Sequence, residues 1–295
     1  MSENPDELDR KARRKITPGF FSKMFSTKEA RIEKALDLLT TAANIYKIHK
    51  NWCKAGETFE ELGRLDTQQG GGASYTYYQN AAHCFSFVDK KHSEQNLDRA
   101  IESCEKVGKF MQAGKFSQRI ANEFEENFEY EKAIEKYGKA ADYFSLGSQN
   151  TKSMQQQCLL KVADLMCISF HKDMFTEAPK IYEKLGIQYL VVPLLRASAK
   201  DMFFKCVMVF IAKKDEVSAE IALKKFLMED PTFDDTIDGK FLKNAIKYIS
   251  NTPDPEAFRK EIQNYKTLRE LDKWKLTMFS TSIRNIETKG EEDLK

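Results

Sequence analysis

The stretch "EKAIEKYGKA" puts Ala133, Tyr137 and Ala140 on one side of a helix. A similar spacing returns at Ala178, Tyr182 and Leu185, and again at Ala219, Leu223 and Phe226, with Pro231 closing that unit. Companion helices carry Trp52, Ala55, Gly56 and Phe59, then Ser117, Ile120, Ala121 and Phe124, then Phe203, Cys206, Val207 and Phe210. Weaker copies stand at Ala35, Leu39 and Ala42 and at Ala100, Cys104 and Val107. Small residues let two helices approach closely, and an aromatic ring fills the space above them. Each pair then leaves an apolar face that only the next pair can cover, so such units stack, as in tetratricopeptide repeats. The intervals are uneven: 33 residues from Ala100 to Ala133, 45 from Ala133 to Ala178, 41 from Ala178 to Ala219. The pattern predicts an all-α, tetratricopeptide-like helical-hairpin solenoid, a twisted sheet of helices, rather than a regular array. An ordinary helical bundle with alanines at its packing sites is the alternative.

Composition agrees with long helices. Only 7 prolines and 13 glycines interrupt 295 residues, and 31% of the chain is charged. The net charge of +2 is too small for a general nucleic-acid binder, which needs a clear basic excess. No apolar run approaches the ~18–20 residues of a membrane-spanning helix. The opening "MSENPDELDR" is polar and acidic, unlike a secretory signal, so a cytoplasmic protein is expected. The six cysteines are scattered without a C-x-x-C and read as reduced thiols; the four histidines have no metal-ligand spacing. Phosphate-loop, dinucleotide, nucleophile-elbow and zinc-protease motifs are absent from the sequence, so neither an enzyme nor a cofactor is expected.

Four segments follow. Residues 1–26 form a basic and aromatic leader, 27–235 the solenoid, 236–288 a C-terminal helical bundle and 289–295 an acidic tail. Thr27 is the expected N-cap of the first solenoid helix. Loops are expected at 70–72, 145–153, 229–236 and 251–256. Leu268, Leu271, Trp274, Leu276 and Met278 are the expected apolar contacts of the last two helices.

The leader raises its own question. In "ITPGFFSKMFSTKEA", Phe20, Phe21, Met24 and Phe25 follow a Pro-Gly turn signal, with Arg13, Arg14, Lys15 and Lys23 close by. These apolar side chains either fold back on the first hairpin as a staple or touch a membrane, with the basic residues meeting lipid headgroups. Partial insertion of this kind gives weak, reversible attachment rather than an anchor.

The order of "FFSKMF", "AANIYKIHKNWCKAG", "CLLKVADL", "PLLRASAKDMFFK", "EDPTFDD", "LDKWKLTM" and "EEDLK" along the chain resembles the alpha-type soluble NSF-attachment proteins over almost its whole length. The resemblance implies a solenoid capped by a helical bundle and a non-enzymatic adaptor role in vesicle fusion and intracellular transport, including that between endoplasmic reticulum and Golgi. Its implied partners are the four-helix SNARE complex, with syntaxin-type and related SNAREs, and the hexameric AAA ATPase NSF. It also implies a peripheral place on the cytosolic face of membranes. By position, the resemblance assigns SNARE contact to Lys115, Lys161, Leu194 and Lys200. It assigns ATPase contact to Asp215, Glu291, Glu292, Asp293 and Leu294. Three departures stand out: a stretch between Gly114 and Glu131 about seven residues shorter than in alpha-type relatives, Ala197 where they carry an aromatic, and no acidic cluster at 243–251, which Asp254 and Glu256 could replace. The alternative function is a tetratricopeptide co-chaperone or other helical-repeat scaffold that binds an acidic peptide tail. A co-chaperone of that kind needs a regular array with a Lys/Asn carboxylate clamp.

Overall fold

The computed structural model describes residues 4–17, 27–147, 149–249 and 254–292, apart from the side chains of 149 and 288–292. Among these residues there are 14 α-helices and no strand. In chain order they are α1 (Pro5–Ile16), α2 (Lys28–Ile48), α3 (Trp52–Gln68), α4 (Ser74–Phe85), α5 (Lys90–Lys106), α6 (Phe110–Glu126) and α7 (Tyr130–Ser145). Then come α8 (Lys152–Ile168), α9 (Ala178–Leu190), α10 (Arg196–Lys213), α11 (Glu216–Glu229), α12 (Ile237–Ile249), α13 (Pro255–Leu268) and α14 (Lys273–Glu292). The chain divides into two units, one of residues 1–123 and 139–152, the other of 124–138 and 153–295.

In the first unit the consecutive helices α1 to α5 pack pairwise. Ala35, Leu39, Ala42, Ala55, Phe59, Leu62 and Phe85 are buried together, and Leu8 and Ala12 of α1 join them. Thr27 caps α2 as expected, its hydroxyl accepting from the Ala30 N–H. The helix α1 lies within the stretch read from sequence as a leader. Pro5 at its start, Asp6 and Glu7 in its first turn and Arg13 to Lys15 in its last suit a helix dipole. Asp6 fixes it to α2 and α3 by accepting from the Tyr46 hydroxyl at 2.5 Å and from Lys54 Nζ at 2.7 Å. Phe20, Phe21, Met24 and Phe25 lie outside the described residues.

The small–aromatic spacing has a direct structural meaning. The Phe85 ring of α4 sits against Gly56 of α3, so a Cβ there would lie 2.8 Å from it. Tyr78 covers Gly63 in the same way, Phe144 of α7 covers Gly114 of α6, and Phe203 of α10 covers Gly186 of α9. Of the weaker copies, Ala100 and Cys104 are buried, but Val107 is exposed because it ends α5 as its C-cap.

The second unit is organised around α10. Met202 to Val209 and Ile211 to Ala212 are all buried, so this helix is covered on every side. It packs against α9, α11, α12 and α14. Phe203 stacks on Phe226 of α11 with ring centroids 4.2 Å apart, and Phe204 meets Phe241 and Tyr265 of α12 and α13. Trp274 and Met278 are buried as expected, but Leu268 and Leu276 are exposed. Phe258, Ile262, Tyr265 and Phe279 supply the core contacts instead. Leu268 ends α13 and Leu276 lies off the buried side of α14, which Trp274, Met278 and Phe279 occupy. The helix α14 continues through Glu292, so residues 289–292 belong to it rather than to a tail.

One charge is buried within α10. Lys205 Nζ donates to both oxygens of Asp164 on α8 at 2.9 and 3.0 Å, and lies 5.3 Å from the Trp274 ring centre. The Tyr182 hydroxyl of α9 donates to the same carboxylate at 2.7 Å. Burial pushes the Lys205 pKa down, but Asp164 and Asp201 outweigh it and raise the pKa above the ordinary 10.5. This network therefore pins α8, α9, α10 and α14 together through one ammonium. Its contribution to stability is fully present below pH 10.5 and is lost as pH rises through the raised folded-state value.

Three substitutions test this packing. Gly186→Ala drives a Cβ to 2.5 Å from the Phe203 ring and should cost about 1–3 kcal/mol in urea unfolding. Gly138→Ala meets nothing within 4 Å and should stabilise helix α7 by about 0.5–1 kcal/mol. Lys205→Met strands the Asp164 carboxylate and should cost about 3 kcal/mol at neutral pH. Above pH 10.5 the difference between Lys205→Met and the parent should shrink in the same unfolding assay.

Candidate functional site

The expected contact residues fall into two groups with different surroundings. Lys115 stands exposed on α6 in the first unit. Lys161, Leu194 and Lys200 lie in the second unit. Lys161 of α8 donates to Glu125 Oε1 at 2.7 Å, and the other oxygen of Glu125 accepts from the Tyr137 hydroxyl at 2.6 Å. Its charge is therefore partly spent inside the protein. Lys200 is more fully engaged: it donates to the Thr232 hydroxyl at 2.6 Å and lies 3.7 Å from Asp230. It braces the 3₁₀ turn Pro231–Phe233 against α10. Leu194 is 93% exposed on the turn Pro193–Leu195, so it stands uncovered among the described residues.

Beside that turn runs an open groove of about 410 Å³. Gln156 and Leu160 of α8, Tyr189 of α9 and Leu195, Ala197 and Met202 around the start of α10 line it. An aromatic at position 197 would partly fill this groove, and the alanine leaves it open.

Of the second group, Asp215 and the backbone of Glu291 and Glu292 lie in the second unit. Asp215 caps α11, its carboxylate accepting from the Ser218 N–H at 3.0 Å. Burial pushes its pKa up, but the Ser218 bonds and Lys213 outweigh that and hold it below the usual carboxylate value. The neighbouring Lys214 takes a left-handed φ of 66° and donates to the Asn285 carbonyl of α14 at 2.8 Å. The Asn285 side chain returns the contact, donating to the Ala212 carbonyl at 2.7 Å. This clip lays the α10–α11 turn against the last part of α14. Six residues further on, about 9 Å along the axis, comes the Glu291 backbone. Arg259 of α13 pairs with Glu287 of α14 and lies 3.5 Å from Glu256, which brings the α13 start to the same end. Asp293 and Leu294 lie outside the described residues.

Sequence reasoning missed the clip. A Lys in left-handed conformation leaves no mark in the sequence, where Gly or Asn would have shown the turn.

Among the described residues no group of three or more His, Cys, Asp or Glu side chains could hold a metal ion, and no helix is long and apolar enough to cross a membrane. The candidate residues lie on the surfaces and ends of an all-helical repeat scaffold. The family model described as soluble NSF attachment protein, SNAP, matches residues 3–287, and the chain belongs to that family. It is 33% identical to the beta-soluble NSF attachment protein of Bos taurus, over 89% of this chain and 87% of that one. With the alpha-soluble NSF attachment protein of Homo sapiens it shares 31% identity, over 98% of this chain and 95% of that one. The vesicular-fusion protein SEC17 of Komagataella phaffii is 29% identical, with each chain covered in full.

Proposed function

We propose that this chain is a non-enzymatic adaptor of vesicle fusion, which binds assembled SNARE complexes and recruits and stimulates the hexameric ATPase NSF. The observation that carries this reading is membership of the attachment-protein family over residues 3–287, on an all-helical repeat scaffold. The SNARE bundle is acidic outside, so spaced lysines on the adaptor complement it. Lys115 and Lys161 are the basic contacts, Leu194 is an apolar contact, and Lys200 braces the turn 231–233 while adding a charge that Asp230 partly offsets. The ATPase contact is the acidic end built by Asp215, Glu291, Glu292 and Asp293 with Leu294, joined by Asp254 and Glu256. Phe20, Phe21, Met24 and Phe25 give the weak membrane contact, which keeps the adaptor on the cytosolic face near membrane-embedded SNAREs.

The partial neutralisation of Lys161 by Glu125 makes the two lysines unequal. Lys115→Glu should weaken binding to a purified SNARE bundle more than Lys161→Glu does, and the double variant should lose about tenfold or more at low salt. The loss should shrink at high salt, where exposed charges are screened. Unchanged binding of a double variant with intact helicity would remove this assignment. Leu294→Ala should leave SNARE binding nearly normal and lower NSF ATP hydrolysis stimulated by the adaptor; full stimulation would remove Leu294 from the ATPase contact.

A further inference from the structure

At the α2–α3 and α4–α5 turns of the first unit, apolar side chains project as a tip beyond the core against which Trp52 packs, and the proposed contacts do not use them. Trp52, which opens α3, stacks on Phe87 with ring centroids 4.4 Å apart, and His83 meets Phe87 edge-on at 5.2 Å. Phe87 is 56% exposed, its neighbour Val88 54% and Ile48 76%. Three large apolar side chains thus project into solvent from two adjoining turns. A protein that merely folds gains nothing from this arrangement.

Basic residues predominate around the tip, and the nearby acids Asp6 and Glu57 are already engaged, Asp6 by Tyr46 and Lys54 and Glu57 by Cys53. Lys50 lies in the first turn, and Lys90 and Lys91 directly follow the second. Burial holds the His83 pKa below its ordinary value, and the charges of Lys47 and Arg119 add to this. The acid of the second turn, Asp89, is occupied in capping α5, where it accepts from the His92 N–H at 3.1 Å. Helix α4 carries no acidic residue from Ser74 to Phe85.

We infer that this tip is an anionic-membrane contact, separate from the segment that holds Phe20 and Phe21. Protruding apolar side chains with a basic rim suit a fluid, negatively charged surface, in which the rings enter the headgroup boundary and the lysines meet lipid charge. A helical protein partner needs a groove to receive it, whereas these side chains project from the turns themselves. The helix α2 has 21 residues, so its C-terminal turn stands about 30 Å from Thr27, where the preceding segment joins. The inference does not depend on the membrane role of residues 20–25.

The chain contains its own probe. Trp52 is one of two tryptophans, and the other, Trp274, is buried at 3% exposure in the second unit. Full-length protein is mixed with vesicles of phosphatidylcholine, with or without phosphatidylserine, that carry lipid brominated near the headgroup end of the acyl chain. The Trp52 signal is the difference between parent and Trp52→Phe emission. It should be quenched on phosphatidylserine vesicles, not on neutral ones, and the quenching should persist in Phe20→Ser/Phe21→Ser. Ile48→Ser/Phe87→Ser should weaken vesicle co-sedimentation roughly tenfold. Phe87→Leu should keep it, which separates lost contact from lost folding. Lys50→Glu/Lys90→Glu/Lys91→Glu should abolish the dependence on phosphatidylserine. Protein that co-sediments with Trp52 unquenched would overturn the inference, as would absence of binding to either vesicle. A Trp52 shift produced by a soluble acidic helical bundle but not by lipid would overturn it too, and would make the tip a protein-docking surface. Failure of the 20–25 reading looks different: Phe20→Ser/Phe21→Ser would then bind vesicles as the parent does.

Discussion

The whole scaffold depends on rings seated over glycines. At Gly56, Gly63, Gly114 and Gly186 the ring of a following helix occupies the space that a Cβ would take, at 2.5 to 2.8 Å from it. Close approach of this kind brings many weak contacts into range at once and excludes water from the seam between two helices. The contact is local, between helices adjacent in the chain, so helix lengths and loops can vary without breaking it. That explains how uneven intervals between the sequence copies still leave consecutive helices packed together, as from α1 to α5. Around α10 the same logic reaches its limit: a helix buried on all sides needs neighbours on every face, and Lys205 ties α8, α9 and α14 to it through one charge.

Much of the fold was legible because the small–aromatic pairing is written at helical spacing. Tyr137, Tyr182 and Phe226, singled out from sequence, are each at most 1% exposed. Other features depended on partners that spacing does not reveal. Helix α1 had its signals in the sequence, with Pro5 at the start, acids first and bases last. The Pro18-Gly19 turn signal and the aromatics after it point instead to a single leader in the sequence. Leu268 and Leu276 looked like core residues because they are large and apolar, yet only the packing of α13 and α14 decides which side is covered.

The candidate site was legible as residues but not as electrostatics. Lys161 and Lys200 look alike in sequence, as single lysines on helices. Their partners lie 36 and 32 residues away, at Glu125 and Thr232, and such pairings are properties of the folded chain. The same holds for the acidic end. Asp215, Glu256 and Glu287 come from three helices, and the Lys214 clip and Arg259 bring them to one end of the second unit. In α12, Lys243 pairs with Asp234 and Asn244 donates to Glu261 at 3.0 Å, so both of these side chains engage acids from other parts of the chain.

An adaptor is defined by holding two partners at once, and one measurement addresses that directly. Purified SNARE bundle and NSF, kept from hydrolysis by a non-hydrolysable ATP analogue, are sedimented with and without this chain. The account predicts that NSF migrates with the SNARE bundle only when the chain is present, and that all three species occupy one peak. NSF migrating with the bundle in the absence of the chain, or remaining separate in its presence, would contradict it.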